Sequence, residues 1–302
     1  MATQQEIQKA AEILQSGGLV VFPTETVYGL GANALDAAAV KKIYALKGRP
    51  MTSPLIVHVA SIEQARELAA EWSEEADELA REYWPGPLTL VVPKKAAIPE
   101  EVTAGLSTVG LRMPRHPMAL ELLRAAGVPI AAPSANRFTH LSPTTAAHVR
   151  EAFGAETPFL LDGGPCEVGL ESTVVAVTKD GLEVLRPGMA FVEDAVTSNE
   201  SAEPAHRSPG LHKKHYSPRT RVLLVKRAHL PERGRGAYLW LQQEGHAAET
   251  IRMPQQPEAY AAQLYGVLHE LDRRGLDWIA VELPPETREW TAIRDRLTRA
   301  AY

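Results

Sequence analysis

The chain has 302 residues, with 32 Lys and Arg against 37 Asp and Glu, a formal net charge of −5, and 45% hydrophobic against 23% charged residues. That length suits about two domains with a core each, and the composition excludes wholesale disorder. No apolar run approaches the roughly 20 residues that cross a bilayer, and the single cysteine, Cys166, excludes an internal disulfide and a multi-cysteine zinc site.

The first segment reads as a helix: Thr3 and Glu6 have capping-box spacing, Ile7, Ala10, Ala11 and Leu14 share a face, and Gly17-Gly18 stops it. No basic leader with an apolar stretch precedes it, so the expected location is cytoplasmic. Leu19–Phe22 reads as a buried strand running into a loop over 23–31, and Asp36 caps a helix through Leu46. Strands are expected at Leu55–Val59, Leu88–Val92, Val109–Met113, Val128–Ala132, Phe159–Leu161, Thr173–Val177 and Leu182–Leu185. Ser61 with Gln64 begins another helix, and helices fill 74–83, 116–126 and 144–153, the last with Ser142 as cap and Pro143 in its first turn. Strands and helices mix without strict βαβ alternation, which predicts an α/β fold with a twisted mixed sheet and helices on its faces.

From Val192 the pattern lapses, and residues 205–231 hold no Asp or Glu but carry Arg207, Lys213, Lys214, Arg219, Arg221, Lys226 and Arg227. Such a stretch is a solvated linker or a segment that closes over phosphate. Patterning resumes with strands at Arg221–Val225, Ala237–Leu241 and Asp277–Leu283 and helices near 257–275 and 287–300, which suits a small, largely parallel α/β unit. The domains are therefore placed at 1–198 and 220–302, with a basic linker at 199–219.

Neither a phosphate-binding G-x-x-x-x-G-K-[ST] loop nor a complete dinucleotide fingerprint is present, and a nucleophile elbow and an H-E-x-x-H pair are also missing. Polar residues instead cluster where strands meet loops: Thr24, Glu25, Thr26 and Tyr28; Lys47 and Arg49; Ser134 and Asn136; Ser142. Each has an ordinary structural explanation, as a hydroxyl-rich turn, dipole compensation or a helix start. Arg112 and Arg186 add cations at strand positions, where an unpaired arginine is costly to bury, and together these cations favour a polyanion site. His58, inside an apolar strand, is by base rate a core histidine, and Cys166 reads as structural.

These segments resemble the Sua5/YrdC family, the threonylcarbamoyl-AMP synthases. The matching runs are Pro23-Thr-Glu-Thr-Val-Tyr-Gly-Leu-Gly31, Lys47-Gly-Arg-Pro50, Pro54-Leu-Ile-Val-His58, Pro85-Gly-Pro-Leu-Thr-Leu90, Gly110-Leu-Arg-Met-Pro114, Ala132-Pro-Ser-Ala-Asn136, Ser142-Pro-Thr-Thr145, Glu171-Ser-Thr-Val174 and Leu185-Arg-Pro-Gly188, in family order over about residues 7–190. Ser208-Pro-Gly-Leu-His-Lys-Lys-His-Tyr-Ser-Pro218 resembles the linker of the longer, two-domain Sua5 form, whose C-terminal part is a small α/β, Rossmann-like domain.

The resemblance implies a nucleotidyltransferase reaction: L-threonine, bicarbonate and ATP give threonylcarbamoyl-AMP, pyrophosphate and water. Magnesium would be carried by ATP and not by a protein cage. The product would pass to a downstream threonylcarbamoyl transferase that forms N6-threonylcarbamoyladenosine at position 37 of tRNA, with at most a weak tRNA contact here and no membrane. Lys47, Arg49, Ser134 and Asn136 match the family's catalytic set, the two cations on the phosphates. Thr26, His58, Arg112, Ala132 and Ser172 match threonine-binding positions, with Arg112 the expected partner of the substrate carboxylate. Arg49, Ser53, Thr108, Ser134, Ser142, Arg186, His215 and Tyr216 match ATP contacts, the last two covering the nucleotide when the second domain closes.

Two departures stand out. Ser53 replaces a frequent Asn, and Phe138-Thr139 replaces a small pair ending in Gly, which matters if that position needs positive φ. Two other readings compete: an RNA-binding module without catalysis, and an enzyme that carbamoyl-adenylates another amine.

Overall fold

The computed structural model describes residues 3–197, 209–210, 215–226 and 229–301. Its first half is a ten-stranded mixed sheet built from β1 (Val20–Phe22), β2 (Gly29–Asn33), β3 (Ile56–His58), β4 (Leu88–Pro93), β5 (Thr108–Arg112), β6 (Ile130–Ala131), β7 (Phe159–Leu160), β8 (Thr173–Thr178), β9 (Gly181–Arg186) and β10 (Val196–Thr197). The strand order is β10-β9-β8-β4-β5-β3-β6-β2-β1-β7. Helices α1 (Gln4–Gln15), α2 (Ala37–Lys47), α3 (Ile62–Leu68), α4 (Glu74–Tyr83), α5 (Glu100–Thr103), α6 (Pro117–Ala126) and α7 (Ala146–Phe153) are interspersed with these strands.

The period of two along each strand decides which helices cover which face. Val20 and Phe22 enter a core with Ile7, Ala10 and Leu14 of α1 and Leu122 and Leu123 of α6, whereas Val21 between them joins Val40 and Ile43 of α2 on the opposite side. Thr3 caps α1 in the expected reciprocal fashion: its backbone N–H donates to Glu6 at 2.7 Å and its hydroxyl oxygen accepts from the Glu6 N–H at 3.3 Å.

Gly29–Asn33, whose first part was expected to be loop, is a strand held between β1 and β6. Its sequence has no β-branched residue to announce it. Glycine is needed at Gly31 because a Cβ there would lie 2.7 Å from the Ile130 side chain and 2.8 Å from the Phe22 ring. A second difference concerns α7, which Thr145 caps by accepting from the His148 N–H. Ser142 lies upstream and spends its hydroxyl elsewhere.

The second sheet contains β11 (Arg221–Val225), β12 (Gly236–Trp240), β13 (Glu249–Arg252) and β14 (Trp278–Glu282) in the order β11-β14-β12-β13, every pairing parallel. Its helices are α8 (Pro257–Asp272) and α9 (Thr291–Ala300). Leu264, Leu268, Ile279, Val281 and Leu297 form its core, and Val27, Leu141 and Leu170 of the first half belong to the same cluster, so one apolar core crosses between the two sheets. Between them, residues 198–208 and 211–214, with Arg207, Lys213 and Lys214 of the basic linker, lie outside the described residues, as does Arg227. No described helix is long and apolar enough to cross a membrane.

Candidate active site

A cleft with about 540 Å³ of empty space, open solvent included, lies where the loops after β1 and β6, the segment entering β8 and the end of β9 meet residues 209–210 and 215–216. The structure brings to its wall Thr26, Arg49, His58, Arg112, Ala132, Ser134, Ser172, Arg186, His215 and Tyr216 from the predicted set. Thr108 lines a neighbouring cleft that shares Ile56 and Pro209 with it.

Three arginines give the cavity its sign. Arg112, on β5, donates from Nη2 to Glu25 at 2.7 Å, from Nη1 to Thr26 Oγ1 at 3.0 Å and from Nε to the Gly86 carbonyl at 3.2 Å. Those bonds use three of the five guanidinium N–H groups, so the fork is fixed in place with donors still to offer. Arg49 follows the left-handed C-cap of α2 at Gly48 and donates to Ser53 Oγ at 2.5 Å and the Pro54 carbonyl at 3.0 Å. Burial, eased by Tyr44 and Tyr216, lowers its pKa to about 10, so it remains a cation at neutral pH. Arg186, at the end of β9, donates to Ser172 and to the Pro209 carbonyl, and no ion pair among the described residues involves it. Burial lowers its pKa too. Glu171 is the one carboxylate on the cavity wall among the described residues, so the lining is net positive.

His58 sits beside Arg112. Burial first, and then the Arg112 charge, push its pKa down to about 3, so the imidazole is neutral. Its Nδ1 has no hydrogen-bond partner among the described residues, which suits a ligand donor or acceptor. Thr26 Oγ1 and Thr24 Oγ1 are 2.8 Å apart, and Ser172 Oγ is 2.8 Å from Thr89 Oγ1. The cavity wall therefore carries neutral hydroxyls as well as cations.

Other predicted residues lie behind the wall. Lys47 donates from Nζ to the Ser134 carbonyl at 2.6 Å, the Asn136 carbonyl at 2.5 Å and Asn136 Oδ1 at 3.3 Å. Its three protons are committed to the loop that presents Ser134, so the geometry corrects the expectation that it points at the phosphates. Burial, with help from Arg49, holds its pKa well below the usual lysine range. Asn136 completes the same knot by donating to the Arg137 and His140 carbonyls. Ser53 buttresses Arg49 instead of facing the cavity, and Ser142 donates to Glu171 at 2.5 Å.

Thr139 has φ 68°, the left-handed conformation that a glycine would take more cheaply, and its carbonyl accepts from the Ser217 N–H at 2.9 Å. The Ser134–Asn136 loop is thereby stitched to the linker. Tyr216 also has positive φ, at 58°, and its buried ring packs between Tyr265 and His215, with the Arg296 guanidinium 5.1 Å from the ring centroid. Cys166 is buried, its thiol pushed up to about 12 by burial and then by Glu25, which agrees with a structural role.

Sequence reasoning gave no role to Glu25, Glu171, Tyr265 or Arg296. Glu25 and Glu171 stood within the matched runs, and their carboxylates were the available signal. Nothing in the patterning of α8 or α9 marked Tyr265 or Arg296.

Fold and cavity together define a class: a two-sheet α/β protein with a positively charged cavity between a strand-end loop cluster and residues 209–210 and 215–216. The family model described as "Telomere recombination" (Sua5/YciO/YrdC) matches residues 12–188, and that described as "Threonylcarbamoyl-AMP synthase, C-terminal domain" matches 177–302. The chain belongs to the Sua5/YrdC family in its two-domain form. A threonylcarbamoyl-AMP synthase of Pyrococcus abyssi is 40% identical over 98% of this chain and 94% of its own length, and one of Bacillus subtilis is 40% identical over 98% and 93%. The crystal structure of Pyrococcus abyssi Sua5 complexed with L-threonine superposes with a TM-score of 0.91 at 37% identity, covering all of this chain and 95% of that one. Escherichia coli YciO, at 23% identity and a TM-score of 0.55 over 64% of this chain, shares the fold.

Proposed function

We propose that this chain is a threonylcarbamoyl-AMP synthase, and that it works as a catalytic domain (1–198), a linker (199–219) and a closing C-terminal domain (220–302). The threonine amine and bicarbonate condense to a carbamate with loss of water. A carbamate oxygen then attacks the α-phosphorus of ATP, and pyrophosphate leaves. Both partners in that attack are anions. Their approach needs fixed positive charge and positioning more than a protein nucleophile, and that need is what Arg49, Arg112 and Arg186 around one cavity meet. This clustering is the observation that carries the reading.

In this assignment the remaining donors of Arg112 take the threonine carboxylate, while Thr26, neutral His58, Ala132 and Ser172 enclose the rest of the amino acid. Arg49 and Arg186 face the phosphates, Ser134 orients the nucleotide, and Thr108 reaches it from the adjoining cleft. Lys47 and Asn136 act from behind by holding the Ser134 loop, Ser53 by holding Arg49, and Ser142 through Glu171. Mg²⁺ would travel on the triphosphate, neutralising phosphate charge; both oxygens of Glu171 are already taken by protein donors, which favours that arrangement over a carboxylate cage. His215 and Tyr216 complete the wall and keep water from a labile mixed anhydride. The product would pass to a downstream threonylcarbamoyl transferase acting on tRNA.

The test is pyrophosphate release from ATP with and without L-threonine and bicarbonate. Release that requires both is expected. Release driven by another amine would keep the mechanism and change the substrate, and no release, with tight salt-sensitive RNA binding, would replace the reading by a binding module.

A further inference from the structure

We infer that Arg296, a residue of the C-terminal domain outside the cavity, is a positioning residue for the nucleotide: it neutralises Glu171 from behind and thereby leaves Arg186 to the phosphates. The inference rests on the assignment of Arg186 proposed above. Arg296 lies on α9 with its side chain fully buried, and it touches the catalytic half at two points: Nε donates to Glu171 Oε2 at 2.8 Å and Nη2 to the Pro187 carbonyl at 3.0 Å. On its own side it donates from Nη1 to Asp295 at 2.6 Å. Its guanidinium also faces the Tyr216 ring.

Glu171 joins three parts of the site. Oε1 accepts from Ser142 at 2.5 Å, Oε2 accepts from Tyr265 at 3.2 Å and from Arg296, and the next residue, Ser172, holds Arg186 through its carbonyl and hydroxyl. Burial opposes the Glu171 charge most, but the charges of Arg296 and then Arg186, with the hydrogen bonds from Ser142 and Arg296, together offset it and hold the carboxyl below its usual range. Arg296 pairs with the carboxylate directly, while Arg186 acts on it at a distance without an ion pair among the described residues. Arg186 and Glu171 line the cavity and Arg296 does not, so the anion in the wall is balanced by a cation outside the lining. Without Arg296, Glu171 would be a buried carboxylate on which Arg186 is the remaining cation acting among the described residues. Arg186 would then answer the protein's own anion, and the cavity would present a carboxylate to the incoming triphosphate.

Docking of the second domain therefore sets the charge of the first domain's site. A mere packing role for Arg296 predicts something different: loss by any substitution, with no dependence on Glu171. The experiment measures ATP binding by calorimetry in the full chain for Arg296→Met, Glu171→Gln and the double variant, with melting curves for each. Arg296→Met is expected to weaken ATP about tenfold or more, and Glu171→Gln introduced on top is expected to recover most of that loss, since it removes the uncompensated charge. Arg296→Lys, which keeps the charge and loses the fork, is expected to fall between. If Arg296→Met aggregates, the same comparison is made between Arg296→Lys and Arg296→Lys with Glu171→Gln.

A double variant no better than its Arg296 parent would overturn the inference. So would an Arg296→Met protein that binds ATP normally. Because binding is read directly, either result stands apart from turnover: wild-type protein that binds ATP but releases no threonine-dependent pyrophosphate would sink the proposed reaction and not this coupling.

Discussion

Lys47 spends its ammonium on three oxygens of one loop, and that fixes what its removal must do. Hydrogen bonds from a charged donor are each worth about 1.5–3 kcal/mol, and here they are buried. Lys47→Met is expected to loosen the Ser134–Asn136 loop, weaken ATP binding by roughly 10–100-fold and lower global stability by about 2–4 kcal/mol. Calorimetric titration and urea unfolding of the same preparation check both. Arg112 differs because its partners are distributed: Glu25 and Thr26 hold the fork while unused donors remain for a ligand. Arg112→Lys keeps a charge near Glu25 but loses the planar fork, so the KM for threonine should rise about tenfold or more with a smaller effect on that for ATP. Equal effects on both would remove the assignment of the carboxylate to Arg112.

Among the elements, α7 and α8 meet through a pair of stacked imidazoles. His148 and His269 have ring centroids 3.9 Å apart at 16°, one from each half of the molecule, and His269 Nε2 lies 3.1 Å from the Ser142 carbonyl. Burial, then His269 and Arg273, push His148 down to about 3, and burial lowers His269 as well. Arg273 is paired to Glu151 across the same contact at 3.4 Å, and Asp272 adds a second carboxylate near His269. Below the unfolded-state pKa of 6.5 the unfolded chain binds protons that the folded pair refuses, so stability is fully present above that pH and is lost progressively as pH falls towards 3. His148→Phe is expected to flatten this loss, as unfolding free energies measured from pH 7 to pH 4 would show. An unchanged slope would place the acid sensitivity elsewhere.

Element prediction succeeded where residues announce themselves and failed where neighbours decide. Capping residues and apolar spacing put α1, α2, α4 and α6 within a residue or two of their observed limits. The strand Gly29–Asn33 was hidden because close packing against Phe22 and Ile130 requires small residues that carry no strand propensity. Glu249–Arg252 escaped for a related reason: it is short, half-exposed and defined by parallel pairing with Gly236–Trp240. Ser142 looked like a helix cap because Ser-Pro is a common helix start, and only the approach of Glu171 from a distant strand end claimed its hydroxyl.

For the whole molecule, the proposed reading divides the two ligands between the two halves. Thr26, His58, Arg112 and Ser172, assigned to threonine, all come from the first sheet and its loops, whereas the proposed nucleotide side also draws on His215, Tyr216 and, through Glu171, Arg296. A chain ending at residue 198 is therefore expected to keep threonine binding and lose ATP affinity about tenfold or more, while exposing Val27, Leu141 and Leu170. Full activity with unchanged ATP affinity would end the closure reading. A gentler probe is Gly210→Ala. Gly210 has φ +87°, and a Cβ there would lie 2.2 Å from the Tyr216 hydroxyl, so the substitution should displace Tyr216 and weaken ATP binding while leaving the unfolding midpoint of the first sheet little changed.

The sequence by itself determined the class of fold and the location of the strand-end polar clusters, and it made an anion site the expectation, because caps, periodicity and short motifs are local properties of the chain. It also carried the family, through an ordered set of such motifs. Only the tertiary structure decided which of those polar residues line the cavity and which stand behind its wall. Lys47 and Arg49 are two residues apart and read alike, yet a carbonyl-lined loop turns one inward while the cavity takes the other. Arg296 could not have been read at all, since its importance comes from meeting a carboxylate 125 residues away. Burial and pairing are decided by what the rest of the chain brings to a position, and a buried charge is defined by its partner.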